Sequence, residues 1–128
     1  LVVAAALVDG AGKVLVQQRP PGKSLAGLWE FPGGKPEAGE SPEQALVREL
    51  DEELGIGVEA GDLRAAAFAS EALGDRHLVL LLYICRSWEG EPKALHATEL
   101  RWVDPVELND LSMPPADRPL VAALGRLL

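Results

Sequence analysis

Residues 41–55 limit most strongly what this chain can become. Ser41 is an N-cap residue, and Pro42 fits the first helical position, where a missing N–H costs nothing. Gln44, three residues after the cap, completes a capping box, and Gly55 after Leu54 supplies the residue that ends a helix. The spacing predicts a helix over Pro42–Leu54, docked through Ala45, Leu46, Leu50 and Leu54. Glu49, Glu52 and Glu53 stand at i, i+3 and i+4 and project from one face. Like charges so spaced repel by about 0.2–0.5 kcal/mol per pair. They also lie toward the electronegative end of the helix, with Arg48 the one nearby cation. Such a cluster is either a solvated acidic face or the seat of a cation. Oxygen-only donors favour a hard ion such as Mg²⁺, with Mn²⁺ as a substitute. Glu40, ahead of the helix, could add a further carboxylate.

The rest of the chain alternates strands with turns. Leu1–Val8 and Lys13–Arg19 read as strands joined at Asp9–Gly12, an expected hairpin. Pro20–Lys23 opens a loop, and Trp29–Phe31 is a short extended piece before Pro32-Gly33-Gly34. Leu63–Ser70 and His77–Arg86 read as strands around a turn near Gly74, followed by a strand over Glu99–Val103 and a short helical turn from Asp104 to Leu108. A last helix runs to Leu128, capped at or near Asp117, with Pro119 in its first turn. Several strands and two well-separated helices make an α/β sandwich with a mixed sheet. At 128 residues without repeats or linkers, one domain over 1–128 is expected.

Composition narrows the function. A net charge of −8 with no basic stripe argues against general nucleic-acid binding. A polyanionic substrate would then need local cations, which a metal supplies. The single cysteine, Cys85, sits in an apolar run and reads as core. His77 and His96 are too scattered for a zinc site. Without a signal peptide or a run of about eighteen apolar residues, a soluble cytoplasmic protein with no membrane partner is expected. Leu1 is not a methionine, which leaves a longer native N-terminus open. Oligomeric state is not written in the sequence.

Gly34, Glu40, Arg48, Glu49, Leu50, Glu52, Glu53, Gly55 and Ile56 fill nine positions in a 23-residue window. The window resembles the Nudix box, the signature of the Nudix hydrolases, without a departure. Likeness to the MutT-like branch extends from the first strand to Pro114–Leu120. The resemblance implies a Nudix-type α/β/α sandwich with a curved mixed sheet. It implies Mg²⁺ held by Glu49, Glu52, Glu53 and the Gly33 carbonyl, with Gly33 and Gly34 allowing close backbone approach. Phosphoanhydride hydrolysis needs charge neutralisation and an aimed water. Glu49 is the expected general base with Glu40 as its partner; Glu53 and Glu99 remain alternatives. MutT-like enzymes carry a glutamate just before a tryptophan in the late strand. Here Arg101 stands there, and Glu99 is the candidate instead. Arg48 is expected to orient carboxylates rather than touch substrate.

The resemblance further implies a small nucleotide substrate, cleaved to monophosphate and pyrophosphate. Arg19, Phe31, Arg76 and Asp117 are the expected substrate residues. MutT has asparagine where Asp117 stands. An ionised aspartate only accepts, which suits base edges presenting N–H groups. Guanine, 8-oxoguanine and cytosine all qualify. Sanitation of oxidised guanine nucleotides such as 8-oxo-dGTP, a DNA-repair role, leads the expectations. CTP and dCTP analogues are the alternative, and a catalytically silent nucleotide sensor is a second class. Ser70–Leu73 lacks the proline usual in ADP-ribose hydrolases.

Overall fold

The computed structural model describes residues 1–128. Helix α1 spans Pro42–Leu54 and forms for the reasons its sequence states. Ser41 Oγ accepts from the Gln44 amide at 3.1 Å, and Gln44 Oε1 accepts from the Ser41 amide at 2.9 Å. Gly55 closes the helix at φ 70°, the left-handed region that a side chain would resist.

Seven strands follow in chain order: β1 (Val2–Leu7), β2 (Val14–Gln18), β3 (Trp29–Glu30), β4 (Gly33–Gly34), β5 (Leu63–Leu73), β6 (Arg76–Cys85) and β7 (Glu99–Val103). A 3₁₀ turn over Pro105–Asp110 precedes helix α2, Asp117–Leu127. The strands make two sheets rather than one curved sheet: a mixed sheet ordered β4-β1-β6-β5 and an antiparallel one ordered β3-β2-β7. The expected α/β sandwich therefore holds, with its sheet divided. The expected β1–β2 hairpin does not form. Strand β1 spends one edge on β4 and the other, in parallel, on β6, so only the Val8–Val14 bridge links it to β2.

This pairing explains the unbroken apolar character of β1, which is covered on both faces. Val3, Ala5 and Leu7 pack with Leu46, Leu50 and Leu54 of α1. Ala4 and Ala6 pack with Leu120 and Leu124 of α2. Cys85 is buried, and Trp88 stacks on Trp102 with ring centroids 6.0 Å apart. No helix is long and apolar enough to cross a membrane. The consequence for function is local: β4 sits on β1, and α1 lays Glu49 against β4.

Candidate active site

Arg48 gathers the carboxylates. Its Nε and Nη2 donate to the two oxygens of Glu40 at 2.8 and 3.0 Å, a bidentate pair. Its Nη1 donates to Glu49 Oε1 at 2.9 Å and to Glu52 Oε2 at 3.2 Å, while Nη2 also reaches the Lys35 carbonyl at 3.0 Å. The Arg48 bonds and the Glu37 amide hold the Glu40 carboxyl below the usual carboxylate range. With both oxygens so occupied, Glu40 is a poor proton acceptor and an effective anchor for Arg48. Gly34 lets the Glu49 carboxylate lie close against β4, because a Cβ on it would push that carboxylate aside. A Cβ on Gly33 would overlap the Val3 and Ala4 backbone across the β1–β4 pairing.

Glu53 differs from its neighbours. It is 8% exposed and takes a 2.6 Å hydrogen bond from Gln17 Nε2. Burial first, and the adjoining Glu49 carboxylate second, push it up to about 8. Both causes penalise the charged form. Gln17 was not singled out in the sequence. The available signal was a polar residue at an inward position of VLVQQ, where Val14, Leu15 and Val16 are all buried.

Two clefts open on this region. One, of about 280 Å³, is lined by Phe31, Leu78, Leu80 and Asp117 together with Gly33, Gly34 and Arg19. The other, of about 500 Å³, is almost wholly polar and holds Gln17, Lys23, His96 and Glu53. Arg19 and Glu30 border both. They are paired at 2.7 Å, and Arg19 Nε also donates to the Ser24 carbonyl at 2.7 Å. Asp117 is 5% exposed. It does not cap α2: Ala116 takes that position without a side-chain bond. Burial, then the charge of Glu30, push the Asp117 carboxyl up to about 7. Near neutral pH it is divided between an acceptor-only and a donor-acceptor form, which replaces the purely acceptor character expected from the sequence.

Not every expected residue joins the site. Register pairs Glu99 with Gln18 and Leu100 with Gln17. Since side chains alternate, Glu99 lies on the face opposite Gln17 and Glu53. It is half exposed, 4.0 Å from Arg101, whose guanidinium lies over Trp29 at 4.5 Å. Arg76 starts β6 at the hairpin turn and borders neither cleft.

The donor set fits a hard cation. Every available ligand is an oxygen, and Glu53 lies buried beside Glu49 with only a neutral amide to offset its charge. No three acidic, histidine or cysteine side chains converge on one ligand point, and Arg48 holds Glu40, Glu49 and Glu52 in its own bonds. The carboxylates are thus collected, though not arranged as a closed cage. A cation there could neutralise phosphate oxygens and acidify a water, and the flanking cleft could take an aromatic base.

A family model described as NUDIX domain matches residues 1–124. The CTP pyrophosphohydrolase of Escherichia coli is 42% identical over 125 residues, covering 98% of this chain and 91% of that protein. The 8-oxo-dGTP diphosphatase of the same organism is 39% identical over 115 residues, covering 90% and 88%. The solution structure of the E. coli ORF135 protein superposes with a TM-score of 0.87 at 39% identity, covering 98% of this chain and 88% of the other.

Proposed function

The chain belongs to the NUDIX domain family, and on that premise we propose that it hydrolyses nucleoside triphosphates to monophosphate and pyrophosphate with Mg²⁺. One observation carries the reading. The cleft containing Phe31 and Asp117 is also lined by Gly33 and Gly34, and Glu49 lies against Gly34. A nucleoside seated there delivers its phosphates to the carboxylates.

Glu49, Glu52, Glu53 and the Gly33 carbonyl would hold the ion. When bound, it supplies charge neutralisation for the phosphates and a more acidic water. Glu49 accepts the water's proton at its carboxylate, while Arg48 fixes the direction of that carboxylate from Oε1. Glu40 serves by holding Arg48. Arg19, at the border of both clefts, binds phosphate. Phe31 walls the base pocket and Asp117 reads the base edge.

Asp117, able to donate as well as accept near pH 7, fits the O6 and N7–H edge of an oxidised guanine, and the N3 and N4–H₂ edge of cytosine equally. A cytosine substrate is the second reading, favoured by the CTP pyrophosphohydrolase relative. Measured in Mg²⁺ at low substrate, kcat/KM is expected to be highest for 8-oxo-dGTP among 8-oxo-dGTP, dGTP, dCTP, 5-methyl-dCTP and ADP-ribose. Asp117→Ala is expected to lower that value by about 10–100-fold, the loss of one charged or buried hydrogen-bond partner. A lead for the cytidine nucleotides overturns the guanine assignment and keeps the reaction. Tight nucleotide binding without turnover overturns the reaction and favours a sensor.

A further inference from the structure

We propose that Gln17 is a positioning residue for the metal-ligand carboxylate Glu53, and that its own carbonyl oxygen accepts a hydrogen bond from a donor entering the polar cleft. The inference rests on the metal assignment above and extends it to a strand residue outside the box.

The inward positions of β2 ahead of Gln17 are apolar, yet Gln17 is a glutamine and only 3% exposed. A buried amide is unfavourable unless both of its ends are paired. Here one end is paired closely: Nε2 donates to Glu53 Oε1 at 2.6 Å. The other end is not, since Oε1 is buried and has no partner. No other buried side-chain nitrogen or oxygen is in that state. A core that satisfies every other such atom, and leaves this one unpaired in a residue that lines the polar cleft with Glu53, marks it as an acceptor that a ligand's donor would complete.

The chemistry of the two ends is complementary. The amide N–H occupies one Glu53 oxygen and so sets the rotation of a carboxylate that adjoins Glu49. The carbonyl accepts from water, and waters held by a divalent ion are donors. Partners of this kind typically change metal affinity by about 10–100-fold when removed. Apolar replacement at a strand position with buried neighbours preserves the fold's pattern, so Gln17 can be tested without dismantling β2.

The experiment is Mn²⁺ titration of the nucleotide-free protein, read by electron paramagnetic resonance, for the wild type, Gln17→Met, Gln17→Asn and Glu53→Gln. Gln17→Met keeps the volume and removes both hydrogen-bonding ends. It is expected to weaken Mn²⁺ binding by about 10–100-fold and leave KM for the nucleotide within about threefold at saturating metal. Gln17→Asn, whose amide is drawn back by one methylene, is expected to weaken binding to a lesser degree. It decides the matter if Gln17→Met does not fold. Wild-type Mn²⁺ affinity in a folded Gln17→Met, or in Gln17→Asn where Gln17→Met fails, overturns the proposal. Wild-type affinity in Glu53→Gln instead overturns the metal assignment itself, so the two failures are distinguishable.

Discussion

Glu53→Gln is expected to lower kcat at saturating Mg²⁺ by about three orders of magnitude, or about 4 kcal/mol of transition-state stabilisation at about 1.36 kcal/mol per tenfold. The amide has nearly the same shape, so the buried position of residue 53 is filled as before. What it lacks is the charge that a hard cation needs. Its stability is expected to match or exceed the metal-free wild type at pH 8, because the wild-type carboxylate is buried and adjoins Glu49. Steady-state kinetics together with urea unfolding check both halves. Turnover near wild type would sink the metal role of Glu53, whereas a collapse of stability would make the activity loss uninformative.

The metal-free protein is expected to lose stability as pH rises from about 5 to above 8. Glu53 in the fold is raised from 4.5 to about 8, and Asp117 from 3.8 to about 7. A carboxyl raised in the folded state binds its proton more tightly there than in the unfolded chain. Its stabilisation is therefore full below the unfolded value and lost as pH climbs through the folded one. For Glu53 the loss is on the order of 2–4 kcal/mol. Thermal melts from pH 5 to 9 in chelator should show the decline, and Glu53→Gln should remove the Glu53 share of it and leave the share of Asp117. Mg²⁺ should stabilise more as pH rises, since it binds the ionised carboxylate. A flat profile in the wild type would contradict the buried-carboxylate account.

The parts of the fold legible in the sequence are those fixed by local rules. The capping box, Pro42 and Gly55 place α1 to the residue, and the i, i+3, i+4 spacing puts Glu49, Glu52 and Glu53 on one side. Strand partners were less legible, because apolar content at β1 says that both faces are covered and not which edges are used. The hairpin expected from Asp9–Gly12 lost to β4 and β6 for that reason. Glu99 shows the same limit at the site. One residue of register separates it from Leu100 and sends it to the far face, a parity visible only once β2 and β7 are paired. Asp117 was legible as a residue of interest, but its protonation depends on burial and on Glu30, which is distant in the sequence. Gln17 required both the pairing of β2 and the docking of α1.

The most direct test of the central claim is ³¹P NMR of the products formed from 8-oxo-dGTP and from CTP in Mg²⁺, with a chelator control. The account predicts monophosphate and pyrophosphate from whichever nucleotide is turned over, and no product when the metal is withheld. Release of orthophosphate with a diphosphate product, or equal turnover in chelator, would contradict it.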